Sequence, residues 1–312
     1  VEINRLDAEN RTALYIAAEK GHDKVIQVLL KQDMVDVNKV EPLFERSPLW
    51  VAAANGHSKV VRLLIQDGKA QVDQCDKGTG RTPLLEAANR GHRNVICGLI
   101  AQGSSTTTLN FLGQRLSSQV GDLIVAEAEK QRIGTLCGFD DGQTGANLSE
   151  KGFGPVDAKF VAYDMKTGFC STTMAKIKIN ECELPIDVLK KGVEIDLSDQ
   201  RLQVEDAIII AACVGVSASM NKLNVLSNSI GDEGYEILTK VAEEKGILTL
   251  VGFDKGQTEA NFSNKSLGPI DAKLIARELT TGFVSSSMAS VDLSFNCLCG
   301  VDDRGRGTYD AT

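Results

Sequence analysis

One stretch of twenty residues, RSPLWVAAANGHSKVVRLLI from Arg46 to Ile65, has a version on each side. RTALYIAAEKGHDKVIQVLL starts at Arg11, and RTPLLEAANRGHRNVICGLI starts at Arg81. The period is about 35 residues. A unit that short cannot bury its own apolar side, so its neighbours must stack on it. Thr12, Ser47 and Thr82 carry side-chain oxygens suited to capping a helix N-terminus. Pro48 and Pro83 follow at the first helical position, where a missing N–H costs nothing. The pairs Ala17-Ala18, Ala52-Ala53 and Ala87-Ala88 are small enough for a second helix to approach closely. Gly21, Gly56 and Gly91 suit the left-handed conformation that ends a helix. Each second helix then carries paired apolar positions: Val25, Ile26, Leu29, Leu30; Val60, Val61, Leu64, Ile65; Val95, Ile96, Leu99, Ile100. That spacing predicts one buried stripe per helix.

The T-P-L and A-A-x-x-G-H signatures in three consecutive registers resemble the ankyrin repeat. Two features depart from it. The family usually has His after T-P-L, where Tyr15, Trp50 and Leu85 stand here; these are expected to fill the same packing site without the hydrogen bonds His would make. Gly98 lies inside the third repeat's second helix, at a cost of about 1 kcal/mol against Ala. In proteins of this kind the hairpin tips and the first-helix surface form the recognition face. By position, the resemblance implies partner contacts from Glu9, Arg11, Glu19, Lys20, Phe44, Arg46, Asn55, Lys77, Arg81, Asn89 and Arg90.

The stretch GSSTTT, residues 103–108, is a polar break, and the division expected is 1–105 and 106–312. A second repeat system follows. The pattern L-x-L-x-x-N-x-L, loosely spelled, occurs as LNFLGQRL, ANLSEKGF, IKINECEL, IDLSDQRL, LNVLSNSI, ANFSNKSL and VDLSFNCL. Each alternating window reads as a short strand with one buried face. Most are followed by a helical stretch, as in GDEGYEILTKVAEEKG from Gly231. Strand, turn and helix in repetition resemble leucine-rich repeats of the ribonuclease-inhibitor-like subtype. The fold class expected is therefore a repeat solenoid: an all-α array of ankyrin helix pairs, then an α/β leucine-rich array with a curved parallel sheet. In such an array the residues between the core positions face the concave side. The first column reads Asn110, Asn147, Lys178, Asp196, Asn224, Asn261 and Asp292; the next reads Leu112, Ser149, Asn180, Ser198, Leu226, Ser263 and Ser294. Short polar side chains there suggest a hydrogen-bonding, mildly acidic surface for a polar or basic partner. A longer duplication overlies the repeats: residues 109–180 align with 223–294 without a gap, so that TLCGFDDGQT from Thr135 matches TLVGFDKGQT from Thr249. The unit after IKINECEL leaves room for only a very short helix and should be irregular.

Charge is unevenly spread. Residues 1–103 hold 14 basic and 13 acidic side chains, and the remainder 20 and 29. A net acidic second half argues against nucleic acid as a partner. No run of eighteen apolar residues suggests a membrane span. The eight cysteines are scattered, no secretory signal is visible, and a cytoplasmic location is expected. The chain opens inside a repeat hairpin and ends after a strand-like window without a cap, from which a fragment of a longer protein is expected.

Catalytic and ligand motifs are missing. His22, His57 and His92 share one register, which speaks for packing and hydrogen bonding at helix starts rather than for catalysis. Cys297-x-Cys299 lacks the spacing and the second half of a zinc knuckle. Cys182 sits at the Asn/Cys position of its window, where a small polar side chain would satisfy turn backbone. The stretch from Gly78 to Arg81 lacks the phosphate-loop pattern and reads as a turn, and Asp140-Asp141-Gly142 lacks calcium-loop spacing. No cofactor, metal or small-molecule substrate is expected. The reading is a non-enzymatic scaffold for protein partners. The alternative is a regulator such as a GTPase-activating protein, which would need an exposed arginine; Arg115 and Arg201 lie on repeat turns.

Overall fold

The computed structural model describes residues 2–102, 109–149, 152–167, 172–179, 181–280 and 284–298. The polar break at 103–108, Asn180, Cys299 and the tail from 300 onward lie outside them. Packing separates the chain into two compact units, Val1–Gly138 and Phe139–Thr312.

The first unit holds three helix pairs: α1 (Ala13–Lys20) with α2 (Asp23–Leu29), α3 (Pro48–Ala54) with α4 (Ser58–Gln66), and α5 (Pro83–Asn89) with α6 (Arg93–Gln102). First helices pack on first helices and second on second, in chain order. A seventh helix, α7 (Ser118–Gln131), packs on α6. The side-chain oxygens of Thr12, Ser47 and Thr82 accept from the N–H groups of Tyr15, Trp50 and Leu85, as caps should. Gly21, Gly56 and Gly91 have φ of 74°, 75° and 72°, the left-handed turn after each first helix. The expected apolar stripe is buried in α6 and, except for half-buried Ile65, in α4. In α2 it is incomplete: Ile26 is buried, but Val25 is 46% exposed where its counterparts Val60 and Val95 are sealed. The reason is positional. α4 and α6 each pack against the second helix of the pair before them, while among the described residues α2 packs mainly against α1 and α4. After α7, the chain returns beside residues 109–111: Leu109 and Phe111 donate their N–H groups to the carbonyls of Thr135 and Leu136.

The second unit alternates short strands and helices: β1 (Gly145–Asn147), α8 (Pro155–Thr167), β2 (Lys176–Ile179), β3 (Cys182–Leu184), α9 (Ile186–Lys191), β4 (Glu194–Asp196), α10 (Val204–Val216), β5 (Lys222–Asn224), α11 (Gly231–Lys245), β6 (Glu259–Asn261), α12 (Pro269–Thr280) and β7 (Ser290–Asp292). The pairs β1–β2, β4–β5 and β6–β7 are parallel. The single curved parallel sheet expected from the sequence is not formed among the described residues. They contain three small sheets of strands three or four residues long. One reason lies at β3, which turns back antiparallel on β2 with Ile179 opposite Cys182. Cys182 is thus a buried strand residue rather than a turn-satisfying one, and burial pushes its thiol up to about 11. The window at Asn110 also differs from a parallel strand, forming one antiparallel bridge with Cys137. The core of this unit is α10, whose run from Asp206 to Val214 is buried against α8, α9 and α11.

Candidate functional site

The hairpin preceding each first helix is folded around one carboxylate. Asp7 accepts from the N–H groups of Glu9 and Arg11. Glu41 accepts from Leu43, Phe44 and Arg46, and Asp76 from Thr79, its hydroxyl included, and Arg81. Burial alone would raise Asp76, but these hydrogen bonds hold it below the usual carboxylate range. Glu41 and Asp76 stand five residues before Arg46 and Arg81, and Asp7 four before Arg11, so an acid ahead of each first helix was visible in the sequence, though its role was not. They bring Glu9 and Arg11, Phe44 and Arg46, and Lys77 and Arg81 onto successive hairpin tips.

Most of the expected contact residues are already engaged with one another. Arg11 pairs with Asp7 at 2.9 Å and Glu9 at 3.0 Å, and lies 3.7 Å from Glu19. Lys20 lies 3.8 Å from the same Glu19 carboxylate. Asn55 donates to the Glu19 carbonyl, and Lys77 pairs with Glu45 at 3.0 Å. Glu86 is buried in α5 and holds two arginines, Arg81 at 3.3 Å and Arg90 at 2.6 Å. It occupies the place of Ile16 and Val51 in the earlier repeats, a substitution that was legible in the alignment. Asn89 is exposed. At Arg46 the arrangement is different. Its guanidinium carbon sits 4.4 Å from the Phe44 ring centroid and 4.5 Å from that of Trp50. Trp50 corrects one expectation: its indole N–H donates to the Arg81 carbonyl at 2.9 Å, so this position does supply a hydrogen bond.

The histidines reach backwards along the stack. His57 Nε2 lies 3.0 Å from the Glu19 carbonyl oxygen, and His92 Nε2 lies 2.9 Å from that of Ala54. Each imidazole also covers the preceding glycine. A Cβ on Gly21 would stand 2.7 Å from His57 Nδ1, and one on Gly56 would stand 2.8 Å from His92 Nδ1. His22, in the first repeat, is exposed.

A family profile for ankyrin repeats in three copies matches residues 33–110, and a single-repeat profile matches 9–41. Residues 9–110 are ankyrin repeats. Such repeats point to protein–protein interaction in general. No curated protein matches the chain.

In the second unit the first-column residues direct their acceptors at their own backbone. Asn147, Asp196, Asn261 and Asp292 each accept from the N–H of the serine two residues on. Asn224 treats Leu226 in the same way, and in the ankyrin unit Asn110 does so with Leu112. The hydroxyls of Ser149, Ser198 and Ser263 also donate to these acceptors. Lys178 is exposed on β2. Asp196, Asn224 and Asn261 share one open groove of about 570 Å³ with Lys265 and Phe262. Two further asparagines, missed as site-shaping residues, tie the turns together. Asn228 accepts from Gln200 and Leu202 and donates to the carbonyls of Leu197, Val225 and Leu226. Asn296 repeats this with Lys265, Leu267, Phe262, Leu293 and Ser294. Their place at the N of the sequence window was the available signal. Arg201 pairs with Glu181 at 2.6 Å, and Arg115 is exposed on a left-handed turn. Among the described residues no three His, Cys, Asp or Glu side chains form a metal-holding group, and no helix is long and apolar enough to cross a membrane.

Proposed function

We propose that this chain is a non-enzymatic scaffold that holds protein partners on two surfaces. One is the ankyrin hairpin and first-helix face. The other is the strand face of residues 106–312, which we read as leucine-rich repeats. The observation carrying the first assignment is the row of hairpins, each rigidified by an inward carboxylate. This ordering leaves Leu43, 72% exposed, and Phe44 at the middle tip. Apolar side chains held in place lose little entropy on docking. The repeat reading of the second half is supported by Asn228 and Asn296, which clamp consecutive turns in the same way. The groove shared by Asp196, Asn224 and Asn261 suits a polar partner surface.

The test uses quantitative capture of protein partners on immobilised full chain. Leu43→Asp with Phe44→Ala is expected to remove one set of partners, and Asp196→Lys with Asn261→Lys another. Partner sets indifferent to both pairs of changes would sink the assignment. A captured enzyme whose turnover changes on binding would favour regulation over passive scaffolding.

A further inference from the structure

Arg11, Arg46 and Arg81 occupy one register of the ankyrin array, yet among the described residues only Arg11 and Arg81 form ion pairs. Arg11 is held by Asp7 and Glu9, and Arg81 by Glu86. Arg46 makes no ion pair among the described residues, and its Nε is buried without a hydrogen-bond partner. The nearby carboxylates direct their oxygens elsewhere, and Asp76 acts on the Arg46 charge only through space. Glu41 binds three backbone N–H groups of its own hairpin, Asp76 serves Thr79 and Arg81, and Glu45 pairs with Lys77. The guanidinium lies over the rings of Phe44 and Trp50, and with Nε buried its terminal N–H donors are what remain for a ligand. A guanidinium stacked in this way is pre-oriented and partly desolvated, both of which strengthen a charge-assisted pair with a planar carboxylate.

We infer that Arg46, clasped by Phe44 and Trp50, is the anchor for an acidic peptide segment of a partner protein. An Asp or Glu carboxylate meets the guanidinium edge, and an apolar neighbour lies on Leu43. The charge beside it agrees: Glu86 alone faces both Arg81 and Arg90, which leaves one cation in excess there. The inference rests on the reading of the hairpin face as a protein-binding surface and gives that surface its chemistry.

Trp50 is the single tryptophan of the chain, so its fluorescence reports directly on the Arg46 environment. Random twelve-residue peptides displayed on phage would be selected on the full chain, and the enriched peptides titrated against Trp50 emission. The expected result is enrichment of Asp or Glu beside an apolar residue, with binding that weakens as salt rises. Arg46→Met should weaken it about ten- to a hundredfold. Phe44→Leu, which keeps the charge and removes one wall, should weaken it severalfold, and covers the case in which Arg46→Met fails to fold. Enriched peptides without acidic residues, or equal binding by wild type and both variants, would overturn the inference. If those peptides still compete with Leu43→Asp-sensitive partners, the hairpin face remains a binding surface and only its acidic preference is lost. No enrichment at all overturns the acidic anchor as well.

Discussion

Residues 109–180 and 223–294 are two copies of one block, and their local bonding agrees far beyond their sequence identity. Gln143 accepts from the Asp140 N–H and donates to the Gly145 carbonyl; Gln257 does the same with Asp254 and Glu259. Thr173 donates its hydroxyl to the Gln143 carbonyl, and Ser287 to that of Gln257. Asp157 and Asp271 each accept from the N–H of the glycine that opens the helix. The copies differ in where they place glycine. Gly113 and Gly152 are matched by Ser227 and Ser266, all four left-handed, while Arg132 is matched by Gly246, again both left-handed. The backbone path is therefore retained where the most permissive residue is not, and the strain of a left-handed side chain moves from site to site. Between the copies lies the irregular stretch with β3 and α10, where that economy fails. Asp271 binds two backbone N–H groups, of Ser227 and Gly268, whereas Asp206 binds only that of Gln203 and leaves Oδ1 buried without a partner.

The equivalence of the copies can be broken most severely at their paired glycines. A Cβ on Gly252 would stand 3.3 Å from the Asn224 side chain, and one on Gly138 3.1 Å from Asn110; Gly142 and Gly256 face open space. Gly252→Val and Gly138→Val should each cost about 3 kcal/mol in denaturant unfolding. Gly256→Val and Gly142→Val should cost about 1–2 kcal/mol. A different ranking in the two copies would undo the comparison.

Asp206 offers the next largest effect, with the opposite sign. Burial, opposed by backbone hydrogen bonding, chiefly from Gln203, and aided by the Glu205 charge, lifts its pKa from the ordinary 3.8 to about 6. Between those values the folded state holds more protons than the unfolded, so stability falls as pH rises through the window. Asp206→Asn is expected to raise stability at pH 7 by about 2–3 kcal/mol, with the gain absent below pH 4. Asp271→Asn should destabilise, because one carbonyl oxygen cannot serve both N–H groups. Melting curves of both variants at pH 4 and pH 7 separate the cases; a stabilised Asp271→Asn would contradict the bonding described. Smaller still, Arg132→Gly should add about 1 kcal/mol and Gly246→Arg remove a similar amount. Ser263→Ala and Ser149→Ala should shift the melting temperature alike and slightly, each losing one exposed hydroxyl bond.

The ankyrin third was readable because its signals are local. Thr12, Ser47 and Thr82 cap what they precede, and the glycines turn where the helices end. What escaped was set by partners distant in sequence. Nothing in the residues around Trp50 announces the Arg81 carbonyl 31 positions on. Asn147, Asp196 and Asn261 were legible as a column but not as acceptors already turned on their own serines, since that depends on the path of the loop. The hairpin at β3 was hidden for a related reason: its window, IKINECEL, fits the repeat, and only pairing decides whether Cys182 continues a turn or folds back.

The imidazoles of His57 and His92 reach only toward the repeat already behind them. The row consequently has a sense of travel. On a ribosome the earlier pair emerges first, and its carbonyl and glycine stand ready as a socket before the ring that will occupy them has been synthesised. Each such latch joins one pair to its predecessor, so the seat is complete before its ring arrives.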